Sequence, residues 1–243
     1  MQAVTHIGTS GWQYKHWKNV FYPRALNIQG WLTYYAQQFD CVEVNSSFYG
    51  MPEVESITKW CSSVPPGFIF ALKAPRNITH FKKLKNCEPE VHELFRRLGG
   101  FGTRLGPVLF QLPDRWRCNL RRLEDFLDRV PPGHRLVFEF RDPSWHNDEV
   151  YALLRSRSIA FCIYDGAGFT APLIADSDFV YLRLHGPGAA YASSYRAPRL
   201  RVWVDRAIAW NRSSKEVFLF FDNDEKGYAT KDGTRTLGLL KAA

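Results

Sequence analysis

Eight short apolar runs recur along the chain, separated by amphipathic stretches, and they constrain the fold more than any other feature. The runs are Thr5–Thr9, Cys41–Asn45, Phe68–Lys73, Pro107–Leu112, Leu136–Arg141, Ala160–Asp165, Phe179–His185 and Val217–Asp222. They are rich in Val, Ile, Phe and Tyr, and many are apolar almost throughout. A strand covered on one face alternates apolar and polar residues, whereas a parallel strand covered on both faces does not. Between the runs, helical spacing predicts helices over Trp31–Phe39, Glu53–Cys61, Glu88–Leu98, Leu120–Val130, Asp148–Ser156, Leu200–Asn211 and Thr230–Lys241. Pro89 falls near a first helical turn, where proline is tolerated, and Pro131-Pro132-Gly133 is a stop signal.

Strand–helix alternation over 243 residues predicts an α/β fold of the TIM type, a (β/α)8 barrel forming a single domain over residues 1–243. The connection between the sixth and seventh runs is too short for a full helix, so an irregular or missing helix is expected there. An open doubly wound sheet is the competing architecture. No G-x-G-x-x-G follows any strand, and Gly8-Thr9-Ser10-Gly11 lacks the lysine and spacing of a P-loop.

In such a barrel the functional groups gather at the C-terminal ends of the strands. Those ends carry Glu43 and Asn45, Lys73, Gln111, Glu139 and Arg141, Asp165, Arg183 and His185, and Asp222 with Asn223 and Asp224. Residues two apart on a strand share a face. Glu43 with Asn45, Glu139 with Arg141, and Arg183 with His185 should therefore point together into the barrel mouth. Val42, Val44, Phe138, Phe140, Leu182 and Leu184 should face the helices.

Charges placed there must pair, meet water or bind a ligand. A bland solution is a buried ion-pair network, for example Glu139 with Arg183 and Glu43 with Arg141. The number of polar strand ends favours a ligand site. Glu139 and His185 are the candidates for proton transfer. Arg141, Arg183 and Lys73 are the candidates for holding an anion. Glu43, Asn45, Gln111, Asp222 and Asn223 would orient the ligand, and Trp12 and Tyr49 would stack on it. An alternative metal set is Glu43, Glu139, His185 and Asp222, which the two arginines in the same mouth disfavour. No cofactor is required by the sequence.

The chain carries a net charge of +8, which suits anionic partners, whether a phosphorylated small molecule or nucleic acid. Its basic segments Arg76–Lys85 and Arg196–Arg206 serve equally as solvated faces. The segment Gly186–Pro198, with Tyr191, Tyr195 and Arg196, has no strand or helix pattern and reads as a lid over the mouth. Five cysteines, none in a C-x-x-C pair, read as reduced thiols of a cytoplasmic protein. No signal-like leader and no run of about 18 apolar residues is present, so no membrane association is expected.

Several stretches together resemble the domain of unknown function 72 family, also called YecE-like. They are Gly8-Thr9-Ser10-Gly11-Trp12 with Tyr14, Trp17 and Phe21-Tyr22-Pro23; Val42-Glu43-Val44-Asn45 with Phe48-Tyr49 and Pro52; and Lys73-Ala74-Pro75-Arg76 with Ile78-Thr79-His80. They continue with Leu105-Gly106-Pro107, Leu109-Phe110-Gln111-Leu112-Pro113, Glu139-Phe140-Arg141 with Trp145, Tyr181-Leu182-Arg183-Leu184-His185-Gly186, and Phe221-Asp222-Asn223-Asp224 with Gly227. The resemblance covers nearly the whole chain. It implies a TIM-like fold and no established activity. Links to endonuclease-like or sugar-isomerase-like barrels and to nucleic-acid binding rest on fold analogy. Two departures stand out. Phe221-Asp222-Asn223-Asp224 replaces a segment that more often begins with asparagine, and Thr230-Lys231-Asp232-Gly233-Thr234 replaces an Asn-Ala pair. Taken together, the expected function is acid–base chemistry, in the manner of a hydrolase or isomerase, on an anionic substrate. The rival expectations are a non-catalytic nucleic-acid-binding module and a small-ligand sensor.

Overall fold

The computed structural model describes residues 4–166, 168–188 and 191–243. Nine strands occur among them: β1 (Thr5–Thr9), β2 (Cys41–Val44), β3 (Ile69–Lys73), β4 (Leu105–Leu112), β5 (Leu136–Phe140), β6 (Ala160–Gly166), β7 (Phe169–Thr170), β8 (Phe179–Gly186) and β9 (Glu216–Phe221). The helices are α1 (Trp31–Tyr35), α2 (Val54–Ser62), α3 (Glu88–Leu98), α4 (Leu120–Leu127), α5 (Asp148–Ser156), α6 (Ala197–Arg212) and α7 (Tyr228–Lys241). The order β1-β9-β8-β6-β5-β4-β3-β2 makes an eight-stranded parallel barrel, with β7 turning back antiparallel on β6. Only a single parallel bridge, Ser10 to Glu43, joins β1 to β2, so the barrel is nearly closed. Gly8 permits this seam: a Cβ there would lie 2.3 Å from the Cys41 carbonyl oxygen.

The apolar runs become strands because both of their faces are buried. Val42, Val44, Phe138, Phe140, Leu182 and Leu184 pack outward in one cluster with helix residues such as Ile57, Leu94, Leu123 and Leu200. Cys41, Ala71, Leu109, Val137, Cys162, Tyr181 and Phe220 fill the inside as a second cluster. All five cysteines are free thiols, and two of them, Cys41 and Cys162, belong to this inner filling. Above it, towards the C-terminal ends, the next inward residues are polar.

Two irregularities matter for the mouth. Between β3 and β4 the register slips beside Gly106-Pro107, where proline cannot donate to the ladder, and β4 begins at Leu105, two residues before the expected Pro107. Between β5 and β6 only Val137–Ala160 and Phe138–Phe161 pair, so the two strands part above that level. Among the described residues, the β6–β8 connection holds β7 and an irregular stretch, with no helix. In the segment read as a lid, residues 189 and 190 lie outside the described residues. Among the described residues, no helix is long and apolar enough to cross a membrane.

Candidate functional site

Arg183, from the inward face of β8, stands at the centre of the mouth and is 1 % exposed. Its Nε and Nη2 donate to both oxygens of Glu43, at 2.9–3.2 Å. Nη1 donates to Glu139 Oε2 and Nη2 to Asp222 Oδ2, each at 2.9 Å. Three buried carboxylates from β2, β5 and the end of β9 thus converge on one guanidinium. Tyr181, two residues before Arg183 on the same face, donates its hydroxyl to Glu43 Oε2 at 2.6 Å. Gln111 donates its amide to Glu139 Oε1 at 2.7 Å. Burial alone would push the Glu139 carboxyl up, but the Arg141 and Arg183 guanidiniums outweigh it and hold Glu139 well below the usual range. Asp222 is lowered in the same way: burial opposes, and Arg183 dominates.

The network is therefore Glu43–Arg183–Glu139–Arg141, with Asp222 joined to it. Of the two ion pairs anticipated from sequence, Glu139 with Arg183 forms. Glu43 pairs with Arg183 rather than with Arg141, and Arg141 Nε instead contacts Glu139. The alternative metal set does not form a ligand cluster, because the Arg183 guanidinium stands where a cation would. No group of three or more metal-ligating side chains occurs among the described residues. Arg183, expected to hold an anionic ligand, has its donors directed at protein carboxylates.

His185 follows two residues further along β8. Arg141 Nη2 lies 3.0 Å from His185 Nε2. A guanidinium only donates, so in this contact Nε2 is the accepting nitrogen. Nδ1 in turn lies 2.9 Å from Asp222 Oδ2. Arg141 covers the Tyr164 ring at 4.7 Å and is 26 % exposed, so it reaches the surface of the site.

Where β5 and β6 part, a cleft of about 460 Å³ opens, lined by His80, Gln111, Asp114, Arg141, Tyr164 and Tyr191 with neighbouring loop residues. His80 comes from a π-helical turn, Asn77–Phe81, that follows β3. Such turns are rare and frequent at functional sites. Burial and the charge of Lys73 lower His80 to about 4, so it is neutral at neutral pH.

Lys73 ends β3 on the inward face. Its ammonium sits 4.2 Å from the centre of the Phe48 ring. Phe48 is held there by the turn Ser46–Phe48, which Ser47 pins by donating to the Val44 and Lys73 carbonyls at 2.6 and 2.7 Å. Burial first, then the charge of Arg183, lowers Lys73 to about 8.

Other expected residues lie apart from the cleft. Trp12, Asn45 and Tyr49 line a neighbouring hollow of about 280 Å³ on the β1–β2 side. Trp12 is buried edge-on against Trp60, whereas Tyr49 is 73 % exposed. Asn223 points away from the mouth and donates to the Ser193 carbonyl and to Asp232, at 2.8 and 2.9 Å. Asp165 faces outward to Arg199 and Thr170, each at 2.7 Å. It has the wrong parity on β6. The inward residue is Tyr164, which sequence reasoning passed over although alternation from Cys162 pointed to it. His80 and Tyr181 were passed over too. Tyr181 shares the face of Arg183 and could have been found by the same count, whereas His80 sits on a turn with no periodic signal.

Comparison with known proteins agrees with this architecture. The family model described as protein of unknown function DUF72 matches residues 6–243. The UPF0759 protein YecE of Escherichia coli K12 is 30 % identical over 143 residues, which cover 58 % of this chain and 50 % of that protein. That match thus spans about half the length of the relative. The UPF0759 protein YunF of Bacillus subtilis is 24 % identical over 98 % of this chain and 95 % of its own. The crystal structure of a DUF72 family protein from Thermotoga maritima superposes with a TM-score of 0.88 at 28 % identity, covering 98 % of this chain and 99 % of that one. A putative vitamin-B12-independent methionine synthase from Listeria monocytogenes, 10 % identical with a TM-score of 0.57, shares the fold alone. The barrel, its motifs and the match over nearly the whole length place the chain in the DUF72 family.

Proposed function

We propose that the mouth is the active site of an enzyme that performs acid–base chemistry on a small anionic substrate. One observation carries the reading: Arg183 is committed to the three buried carboxylates, while Arg141 reaches the open cleft with Nη1 uncommitted among the described residues. A guanidinium so placed suits a phosphate or carboxylate. His185 is the proton-transfer group, with Nε2 3.0 Å from Arg141, which lines the cleft, and Nδ1 2.9 Å from Asp222. An anion that draws Arg141 towards itself frees Nε2 to accept a proton. Glu139 shares the proton-transfer expectation. Held ionised by two arginines, it is a weak base and chiefly sets the position of Arg141. Gln111 orients the ligand, and Lys73 adds positive charge.

Inorganic phosphate, titrated by calorimetry, should bind the wild-type chain at least about tenfold more tightly than an R141Q variant, the cost of one charge-assisted contact. Incubation with mixed phosphorylated and carboxylated metabolites should deplete one class with wild type and not with H185N. Equal phosphate binding by R141Q would remove the reading.

A nucleic-acid-binding module is favoured by one separate observation. Exposed Arg76 lies between the exposed rings of Tyr49 and Phe81, 5.3 Å from each, a platform on which a base could stack. Binding of oligonucleotides that falls steeply with salt, without turnover, supports it.

A further inference from the structure

We propose that Lys73 is a nucleophilic amine that captures a carbonyl group, and that the substrate is a small aldehyde or ketone bearing a phosphate or carboxylate. The inference rests on the mouth being an active site, and it names the substrate class. Its basis is placement. Lys73 belongs to the polar layer of the barrel mouth, with Glu43, Glu139 and Asp222 all close enough to act on its charge. Yet among the described residues its ammonium forms no ion pair or hydrogen bond, and it rests against the Phe48 ring. A lysine kept to bind carboxylates would touch one. A lysine kept for covalent chemistry needs its nitrogen lone pair unshared and its stem held still, and the turn pinned by Ser47 holds the Phe48 platform for it.

The charge balance is compatible with capture. Three carboxylates face two guanidiniums, so one further positive charge completes the set. A protonated imine supplies that charge as the ammonium does. Lowered to about 8, the amine carries on the order of a hundredfold more neutral form at pH 7 than an unperturbed lysine.

The step balances without a redox partner. The Nζ lone pair forms the C–N bond, and the carbonyl π pair moves to oxygen, which takes up the proton that nitrogen loses. The resulting hydroxyl accepts a second proton, the one the ammonium gave up on becoming the free amine, and leaves as water while the nitrogen pair closes the C=N bond. Arg141, which lines the cleft, holds the anionic group. Loss of a proton next to the protonated imine, with His185 as acceptor, is the chemistry such an adduct makes easy.

The test traps the imine. Wild-type chain is mixed separately with dihydroxyacetone phosphate, glyceraldehyde 3-phosphate and pyruvate, then reduced with sodium borohydride and analysed by intact mass and peptide mapping. One adduct, adding the mass of the probe less one oxygen atom (water lost on imine formation, two hydrogens gained on reduction), is expected on Lys73 with at least one probe. It should rise as pH is taken from 7 to 9 and be absent in K73R, which keeps the charge. Circular dichroism of K73R and K73M establishes that both fold. Adducts scattered over surface lysines at equal yield in wild type and K73R would overturn the inference. Phosphate binding by wild type and R141Q is measured alongside. If phosphate binding depends on Arg141 but no Lys73 adduct forms with any probe, this inference fails and the acid–base reading stands. If neither is seen, both fail.

Discussion

Arg183 is the residue on which the mouth depends, and the reason is electrostatic. A buried carboxylate without a partner costs several kcal/mol, and here three share one guanidinium. R183L should therefore destabilise the chain by roughly 3–5 kcal/mol, read from urea unfolding. A loss below about 1 kcal/mol would mean that water reaches the cluster. A second residue, His6, sits at the opposite end of the barrel, with Nδ1 2.6 Å from Asp40 and Nε2 2.9 Å from Glu216. Burial lowers its pKa, but these two carboxylates outweigh burial and raise it from 6.5 to about 9. A value raised in the folded state means stability fully present below 6.5 and lost as pH rises through 9. The effect should be on the order of 1–2 kcal/mol, because Asp40 is partly exposed and screened. Urea midpoints of wild type should fall between pH 6.5 and 9 more steeply than those of H6Q; parallel curves would rule the switch out.

Among the elements, the β8 end and the segment after it form the most specified junction. Gly186 has φ +103°, and a Cβ there would lie 2.0 Å from the Ala192 carbonyl oxygen, so the chain folds back where only glycine fits. The Tyr195 hydroxyl accepts from the Gly186 amide and donates to the Asp165 carbonyl, both at 3.0 Å. Asp232 of α7, fully buried, accepts from Ser194, the Tyr195 amide and Asn223 at 2.6–2.9 Å. This part of the segment is anchored to α7 through Asp232. D232A removes three hydrogen bonds to a charge, so limited proteolysis within 187–195 should accelerate about tenfold or more. An unchanged cleavage rate would mean that the anchor lies elsewhere. The β1–β2 seam is the second sensitive element. G8A places a methyl against backbone that cannot yield, and its thermal midpoint should drop by several degrees.

At the scale of the whole molecule, the strands run from Thr5 to Phe221 and the inner filling draws residues from β2 to β6, β8 and β9. Removal of any one of these seven strands opens that interior. Unfolding followed by tryptophan fluorescence and by far-ultraviolet circular dichroism should therefore superimpose in a single transition; separated midpoints would reveal an independently stable part. The mouth is legible at this scale only in outline. Parity along each strand assigned Glu43, Glu139, Arg141, Arg183 and His185 to one chamber, because a strand buried on both faces has no other place for charge. Parity could not say which partner each would choose. That depends on side-chain reach across the barrel and on the staggered heights of the strand ends.

The sequence by itself determined the barrel: apolar runs of strand length, helical spacing between them, and a connection too short for a helix after the sixth run. These are local, periodic signals, and burial of both strand faces leaves few ways to satisfy them. Only the tertiary structure decided the roles inside the mouth. It committed Arg183 to three carboxylates and turned Asn223 and Asp165 away to anchor loops. It brought His80 to the cleft from a turn, and left the Lys73 ammonium beside Phe48 with no ion pair or hydrogen bond among the described residues. Such outcomes turn on distances of an ångström or two between residues more than a hundred positions apart, such as Glu43 and Arg183, where no sequence period reaches.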